Sequence, residues 1–570
     1  MLLFLACHLL ESPEIATCEA FGCADTSADD TDGTGPGTGG DDADEDGVPS
    51  GDDCDDDDPD VGEAETVWTD ADGDGYGDPD TEVDTCDVAS DQVFEAGDCD
   101  DTTDQAAPGL TEVCGDGLDN DCDGTSNGCV PTGELSSEDA DHAWEAEKGS
   151  YDLAGQSVAV LGDVDGDGQG EIAIGVPGDA TYGGAVAVCG LDDAEGIVSN
   201  CAAQLTSSTT SVGLGYAVRA AGDVDGDGFA DALVGAIYAD VDGVSNTGAA
   251  VLFYGPLTAA IDETSAGIYG TTEASAQLGQ ALGVGNLDDD AEVELVVGSR
   301  YVGSAGGVYV LDGPHPAAGE QASVDDYVGA ITASDGSVFA MEIGDPGDVD
   351  GDGYDDVLVS DYSYNGGGEV YVFRGPVDGR YDRSDADITL TGSTSGGTDY
   401  LGYSGTTMVA DEDGDGYDEI LVGALLGEGD VSSAGRAYLV DGPTKTGAIA
   451  DAAHATLLGE ASGSYAGMAT ASGDFDGDSI PDVMIGAPSV DRSTSVTDIG
   501  KVYMSYGPHS GTSRLVVRSW TATGVGQSDW FGEALATGDV DDDGHDDLLV
   551  GSYRANDSDG GAYLFLGSSY

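Results

Sequence analysis

From Val158 onward the chain is a succession of short apolar runs in which every second residue is polar or small, and such period-2 alternation predicts β-strands with one buried face. The first run is Val158–Leu161; an acidic, glycine-rich loop follows, and then a second run, Ile172–Val176. Roughly ten variable residues separate the second run from a third, which often ends in Gly-Pro, as in VLFYGP (Val251–Pro256), VYVFRGP (Val370–Pro376) and VYMSYGP (Val502–Pro508). A fourth, weaker run comes next, for example Ala386–Thr391 and His454–Leu458. Four short strands punctuated by turns read as one antiparallel unit, and the same order recurs to the end of the chain.

The loop between the first two strands marks the period. In its first copy, DVDGDGQGE, Asp163, Asp165, Asp167 and Glu171 crowd together, which makes sense if a cation relieves their repulsion, although a single acidic glycine loop is also an ordinary solvated turn. Positions 1, 3 and 5 offer side-chain oxygens, position 7 (Gln169) a backbone carbonyl and position 9 a two-oxygen grip. Gly168 at position 6 permits the sharp turn. Further copies begin at Asp223, Asn286, Asp348, Asp411, Asp474 and Asp539, giving steps of 60, 63, 62, 63, 63 and 65 residues. The ligand sets expected in them are Asp223, Asp225, Asp227 and Asp231; Asn286, Asp288, Asp290 and Glu294; Asp348, Asp350, Asp352 and Asp356; Asp411, Asp413, Asp415 and Glu419; Asp474, Asp476, Asp478 and Asp482; and Asp539, Asp541, Asp543 and Asp547. Oxygen-only donors at this spacing suit Ca²⁺. Copy 3 has Asn286 at position 1 and Ala291 for the glycine, and copy 6 has Ser479 at position 6, so these two are expected to bind more weakly.

Seven four-stranded units suit closure into a β-propeller, which removes the exposed sheet edges of an open array. The last unit supplies three strands, ending with Ala562–Leu566, and His142–Glu147 ahead of the first unit stands where a fourth would be needed, so it is expected to pair there and fasten the ring.

Charge and cysteines change the picture mainly outside the repeats. The chain has 13 Lys and Arg against 115 Asp and Glu, a net charge of −102, and no basic residue precedes Lys148. Nucleic acid and anionic membrane surfaces are therefore unsuitable partners, and cations suitable ones. Acids outside the loops serve solubility in a salty medium equally well. Of the 11 cysteines, nine lie at or before Cys129, and the other two are Cys189 and Cys201. Without zinc-type CxxC and His spacing they read as disulfides of an exported protein. Cys189 and Cys201 fall at the end of strand 3 and the start of strand 4 of the first unit and are expected to pair. The apolar start MLLFLAC resembles the end of a bacterial lipoprotein signal, which would make Cys7 a lipidation site; it is short and lacks basic residues, so a start further upstream or a poor export signal stays open.

The expected division is a signal-like N-terminus (1–23), an acidic spacer (24–43), an Asp- and Cys-rich region (44–130), a linker (131–141) and the ring (142–570). Within the Asp- and Cys-rich region, DADGDGYGD places Asp70, Asp72, Asp74 and Asp78 at the spacing of the ring loops, followed by GDCDD and EVCGDGLDNDCDG. This region resembles the MopE-like metal-binding repeat of exported bacterial proteins. So little apolar content cannot bury a core; either cysteine bridges and cations order it, or it is a disordered, cysteine-tethered stalk.

Phe531-Gly532 near a first strand, the D-x-D-x-D-G-x-x-D loop, and Gly486-Ala487-Pro488 after a second strand resemble the FG-GAP repeat of integrin α-subunit propellers and their bacterial relatives. The resemblance covers about 140–570 and implies an all-β, seven-bladed propeller that binds Ca²⁺ in its 1–2 loops. Those loops and the 3–4 turns then share one side of the ring, and the 2–3 turns lie on the other with the links between blades. The 2–3 turns vary and carry Tyr182, Tyr238, Arg300, Tyr301, Tyr362, Tyr364, Arg492, Tyr553 and Arg554, residue types that anchor interfaces, although tyrosines wedged between blades would serve packing alone.

No zinc-protease, nucleophile-elbow or P-loop motif occurs, and six scattered histidines show no zinc spacing. Asp491–Ser495 spells D-x-S-x-S, but in a loop between strands, where it reads as coincidence. His545, at position 7 of the last loop, is expected to face solvent. The sequence thus points to a non-enzymatic, exported binding or adhesion module, monomeric, with a protein or glycan ligand and no membrane-spanning helix. A propeller enzyme acting on polysaccharide and a purely structural calcium-binding envelope protein are the alternatives.

Overall fold

The computed structural model describes residues 134–147 and 151–567 with short interruptions, and before them Cys54, parts of 65–100, Ala106 and Cys122. Cys7, Asp74, Tyr182 and Asp290, with segments 1–23 and 24–43, lie outside the described residues.

Seven antiparallel sheets follow one another in chain order, six of five strands and one of four. In blade 1, Val158–Gly162, Glu171–Val176, Ala185–Cys189 and Ala203–Thr206 pair in sequence order, as the apolar pattern predicts. A further strand, Ala260–Asp262, joins in parallel from the 3–4 link of blade 2, and each later blade likewise receives an outer strand from the link of the next. The seam uses the same device. His142–Glu145 pairs antiparallel with Gly561–Phe565 as the fourth strand of blade 7, and Gly196–Ile197 of blade 1 adds the fifth. Residues 131–141, read above as a linker, contain Glu134–Ser136, which pairs in parallel with the fourth strand of blade 6. The ring is therefore clasped twice. Trp144 anchors the clasp with its side chain fully buried between blades 7 and 1; removing such an indole from a core costs about 3–5 kcal/mol.

The blades meet through glycine. Gly467, after the FG-like turn of blade 6, has φ +86°, and a Cβ on Gly423, in the second strand of blade 5, would lie 1.8 Å from its carbonyl oxygen. Four other junctions repeat this approach, with Gly175 against Gly215, Gly235 against Gly279, Gly486 against Gly532 and Gly551 against Gly155. No side chain fits at such backbone contacts, which is the physical reason the FG and GAP glycines recur. Blade 4 departs from the pattern. Its first strand is reduced to isolated bridges Ile343–Val359 and Gly347–Asp356, since Pro346 has no N–H to give and glycines flank it.

The N-terminal unit, taken by itself, has Glu65–Thr69 paired with Val83–Thr85 and Gln92–Val93, with Val67 buried and a disulfide joining Cys54 to Cys86. Among the described residues no helix is long and apolar enough to cross a membrane.

Candidate metal loops and the opposite rim

The 1–2 loops are held open as cages by their own backbone. In the six whose positions 5 and 6 are described, the position-6 N–H donates to the position-1 carboxylate at 2.8–3.1 Å, and the position-7 N–H donates to the position-5 carboxylate at 2.7–3.1 Å. The position-9 carboxylate, nearly buried in every copy, accepts from the position-2 N–H in all seven. Where it is Asp, its other oxygen also accepts from the backbone at the end of strand 3, as with Gly255, Gly375, Gly507 and Gly567. The 3–4 turns therefore lie beside the 1–2 loops. Ser479 takes a left-handed φ of +68° and makes the same bond as the glycines it replaces, so copy 6 keeps the loop shape.

The remaining carboxylate oxygens converge. Oxygens of Asp411, Asp413, Asp415 and Glu419 lie within 4.8 Å of one another, as do those of Asp163, Asp165 and Glu171, and of Asp223, Asp225 and Asp227. Asp350 Oδ1, Glu419 Oε1, Asp474 Oδ1 and Asp541 Oδ1 are buried without a hydrogen-bond partner. Burial, then the neighbouring charges, pushes the carboxyls of Glu419 and Asp482 up to about 8 and those of Glu171, Asp356 and Asp547 to about 7, against the backbone bonds that favour ionisation. Partnerless oxygens and mutually repelling carboxyls fit a hard cation, held by positions 1, 3, 5 and 9.

Two sets of loop residues escape a repeat-by-repeat reading. The first zips neighbouring loops together at position 8. The N–H of Asp355 donates to the Asn286 carbonyl while its carboxylate accepts from the Asn286 N–H, and Asp418 with Asp348 and Asp546 with Asp474 do the same. Position 7 adds to this, with Phe229, Tyr417 and His545 covering the position-4 glycines of the preceding loops. His545 is thus packed on Gly477, not turned to solvent as expected, with Nδ1 3.4 Å from the Phe475 carbonyl. The second set precedes the Gly-Pro turn. Asp312 brings a carboxylate to Asp288 and Glu294 in copy 3, where position 1 is Asn286, and Arg374 pairs with Asp350 at 3.2 Å in copy 4. The signal for both sets was an acid or base repeated at one place in the period.

The N-terminal unit holds Asp70, Asp72 and Asp78 in the turn after its first strand, with the Asp78 N–H bonded to the Thr69 carbonyl. Cys189 and Cys201 are joined by a disulfide, Cα atoms 4.6 Å apart.

The 2–3 turns lie against the links between blades, as where the Tyr238 N–H donates to the Val212 carbonyl. Tyr238 and Tyr301 are each 46% exposed, and Arg492 is exposed. Arg300 lies over the Tyr301 ring at 5.2 Å. Tyr362 meets Tyr400 and Tyr403 edge to face. Arg554 stacks on Trp530 at 3.7 Å and bonds the Tyr553 hydroxyl. Tyr364 is covered by Arg383, 3.6 Å from its ring, which is itself paired with buried Asp361.

A channel of about 490 Å³ runs between the first strands of all seven blades. The residues that follow the FG-like turns line or neighbour its mouth: Gln156, Tyr216, Gln280, Met341 and Glu533 in the wall, with Tyr403 close to Glu533. Arg219 is paired in the channel with Asp345 at 3.1 Å and Glu342 at 3.7 Å. Burial pushes the Glu533 carboxyl up to about 8, against the attraction of Arg554.

Comparison with known proteins agrees with this architecture. The FG-GAP repeat model matches residues 154–189, 466–503 and 531–565, and the MopE-type model, described as "Putative metal-binding motif", matches 53–73 and 98–127. Similar curated proteins include integrin alpha-PS2 of Drosophila melanogaster, 30% identical over 179 residues (30% of this chain, 12% of that protein). Integrin alpha pat-2 of Caenorhabditis elegans is 30% identical over 202 residues (33% and 15%). Integrin alpha-IIb of Homo sapiens is 35% identical over 118 residues (20% and 11%). The alignments thus span less than one sixth of each relative's length. The chain carries FG-GAP repeats in a seven-bladed β-propeller, is similar to integrin α subunits over part of its length, and has a MopE-like metal-binding motif preceding the ring in sequence.

Proposed function

We propose that this protein is an exported, calcium-stabilised surface module that binds a protein or glycan through the rim formed by its 2–3 turns. The observation that carries this reading is the division between the two rims: acid cages repeated blade after blade on one, and on the other a non-repeating set of tyrosines and arginines, of which Tyr238, Tyr301 and Arg492 are exposed. Calcium is the ion chosen because every loop donor is oxygen. Disulfides in both units suit an oxidising, extracellular setting, with Cys7 as the point of lipid attachment and the ring acting as a monomer. The excess of acid excludes nucleic acid as the ligand.

A screen against immobilised glycans and surface proteins, run in calcium and again in chelator, tests this. Calcium-dependent binding without turnover is the expected result; binding that survives unchanged in chelator contradicts the link between ring and metal. Glu533 favours a second reading, since a half-buried carboxyl held near 8 beside Tyr403 and Tyr553 has the properties of a general acid. Release of new reducing ends from a bound polysaccharide, abolished by Glu533→Gln, would select that enzyme reading.

A further inference from the structure

Position 2 of the acidic loops is apolar in six copies, Val164, Val224, Leu287, Val349, Phe475 and Val540, and is Glu412 in the fifth. The apolar residues plug the wedge between adjacent blades. Val164 shares a core cluster with Leu257, and Leu287 with Val377, in each case the residue that follows the Gly-Pro turn of the next blade. At the junction of blades 5 and 6 this pair is replaced by Glu412 and His509. The Glu412 side chain is fully buried and that of His509 is 4% exposed, so the exchange puts charge where its siblings put hydrocarbon. Such an exchange is costly unless something is gained or bound.

Two imidazoles face this one carboxylate. His509 Nδ1 lies 2.7 Å from Glu412 Oε2, and His454 Nε2 lies 3.0 Å from Glu412 Oε1. Each ring is also held from behind. The other nitrogen of His509 is 3.0 Å from Ser505 Oγ, and that of His454 meets the Asp441 carboxylate. One nitrogen turned inward and one fixed by an outer oxygen is the arrangement that orients metal-ligating histidines. The ionised Asp441 carboxylate can only accept, so it favours a proton on the outer nitrogen of His454 with the lone pair inward, and the Ser505 hydroxyl is able to accept from His509 in the same way.

We propose that Glu412, His454 and His509 bind one transition-metal ion of the zinc class at the blade 5–6 junction, through His454 Nε2, His509 Nδ1 and the Glu412 carboxylate, with water completing the shell. Two imidazoles and a carboxylate suit Zn²⁺ or its neighbours and not Ca²⁺, so this site is chemically separate from the acid cages. Tetrahedral donors at about 2.0–2.2 Å from an ion sit about 3.3 Å apart. The two nitrogen-to-carboxylate distances are already within about 0.3–0.6 Å of that spacing. Solvent reaches the site past His454, 17% exposed, and Asp441, 47% exposed, which gives the ion a way in.

The test uses the full chain in excess Ca²⁺, so that the oxygen cages are filled, with Co²⁺ as an optical probe and Zn²⁺ as competitor. Wild type should bind Co²⁺ with a visible d–d band that Zn²⁺ bleaches. Glu412→Val with His509→Leu, which rebuilds the apolar pair of the other junctions, should remove one equivalent and the band while the ring still melts cooperatively. Asp441→Asn, which removes only an outer partner, should weaken Zn²⁺ binding about 10–100-fold. If the double variant fails to fold, His454→Asn, at a partly exposed ring, gives the same comparison. No Zn²⁺-sensitive band in wild type, or equal stoichiometry in wild type and a folded variant, would overturn the proposal.

Discussion

On one rim of the ring, Asp163, Asp223, Asp348, Asp411, Asp474 and Asp539 all accept the same backbone bond from position 6; on the other, Tyr238, Tyr301, Tyr362, Arg492 and Tyr553 occupy the 2–3 turns, no two in the same setting. Repetition on the first rim has a physical cause. A cage for a hard cation needs one backbone shape, and where its buried position-9 carboxylate is Asp it also ties the loop to the turn after strand 3. The 2–3 turns carry no such duty, because the strands they join are already paired along their length, so their side chains are free to differ. Where constraint repeats, the rim serves the ring. Where it does not, the rim is available for recognition.

The sharpest way to break this comparison is to remove the metal. An ion bound at a concentration of about 100 times its Kd adds about 2.7 kcal/mol per site, so five filled cages would contribute about 13 kcal/mol. Chelation should lower the melting temperature by well over 10 °C in calorimetry; an unchanged melt would mean that the cages are ordinary turns.

The pH dependence of the metal-free ring comes next. Folding raises the carboxyl pKa values of Asp231 to about 6, of Glu171, Asp356 and Asp547 to about 7, and of Glu419 and Asp482 to about 8, from ordinary values near 4. The folded chain thus holds more protons than the unfolded one between those limits. This stabilising contribution is complete below about pH 4 and is lost as pH rises through 6 to 8. In chelator the ring should melt higher at pH 5 than at pH 8. In saturating calcium the order should reverse, because the ion needs the carboxylates ionised.

The zipping of loops makes a more local prediction. Asp418→Ala removes the partner of the Asp348 N–H, so it should weaken the cage of blade 4 as well as its own, at a cost of about 1–3 kcal/mol for a charge-assisted bond. Asp225→Ala, whose carboxylate bonds only within its own loop, should affect one ion alone. Calcium titrations of both variants decide between shared and separate cages.

The smallest expected effect on stability lies on the opposite rim. Tyr238→Ala combined with Tyr301→Ala should leave the melting temperature nearly unchanged, since both rings are about half exposed, yet should weaken ligand binding at least tenfold. Loss of stability with binding intact would show that these rings are packing and that the recognition surface is elsewhere.

The blades, their loops and the clasp strand at His142–Glu145 were legible because each leaves a periodic mark, alternation for strands and acids at fixed spacing for cages. The parallel outer strands were not. Segments such as Ala260–Asp262 are three residues long and mostly exposed, so they have no buried face to alternate. Residues 131–141 read as a linker for the same reason, although Glu134–Ser136 closes the seam. The Arg219, Asp345 and Glu342 group in the channel draws on two blades. The meeting of Glu412 with His454 and His509 spans 42 and 97 residues, distances over which a search for local ligand spacing finds nothing. What the chain does within one period can be read along it; what neighbouring blades do to each other cannot.

The account rests on the acid cages being calcium sites that hold the ring. Equilibrium dialysis of the full chain against calcium, with magnesium as competitor, counts them directly. At least five Ca²⁺ per chain, retained over excess Mg²⁺, is the result predicted; none or one, or release by equimolar Mg²⁺, would contradict it.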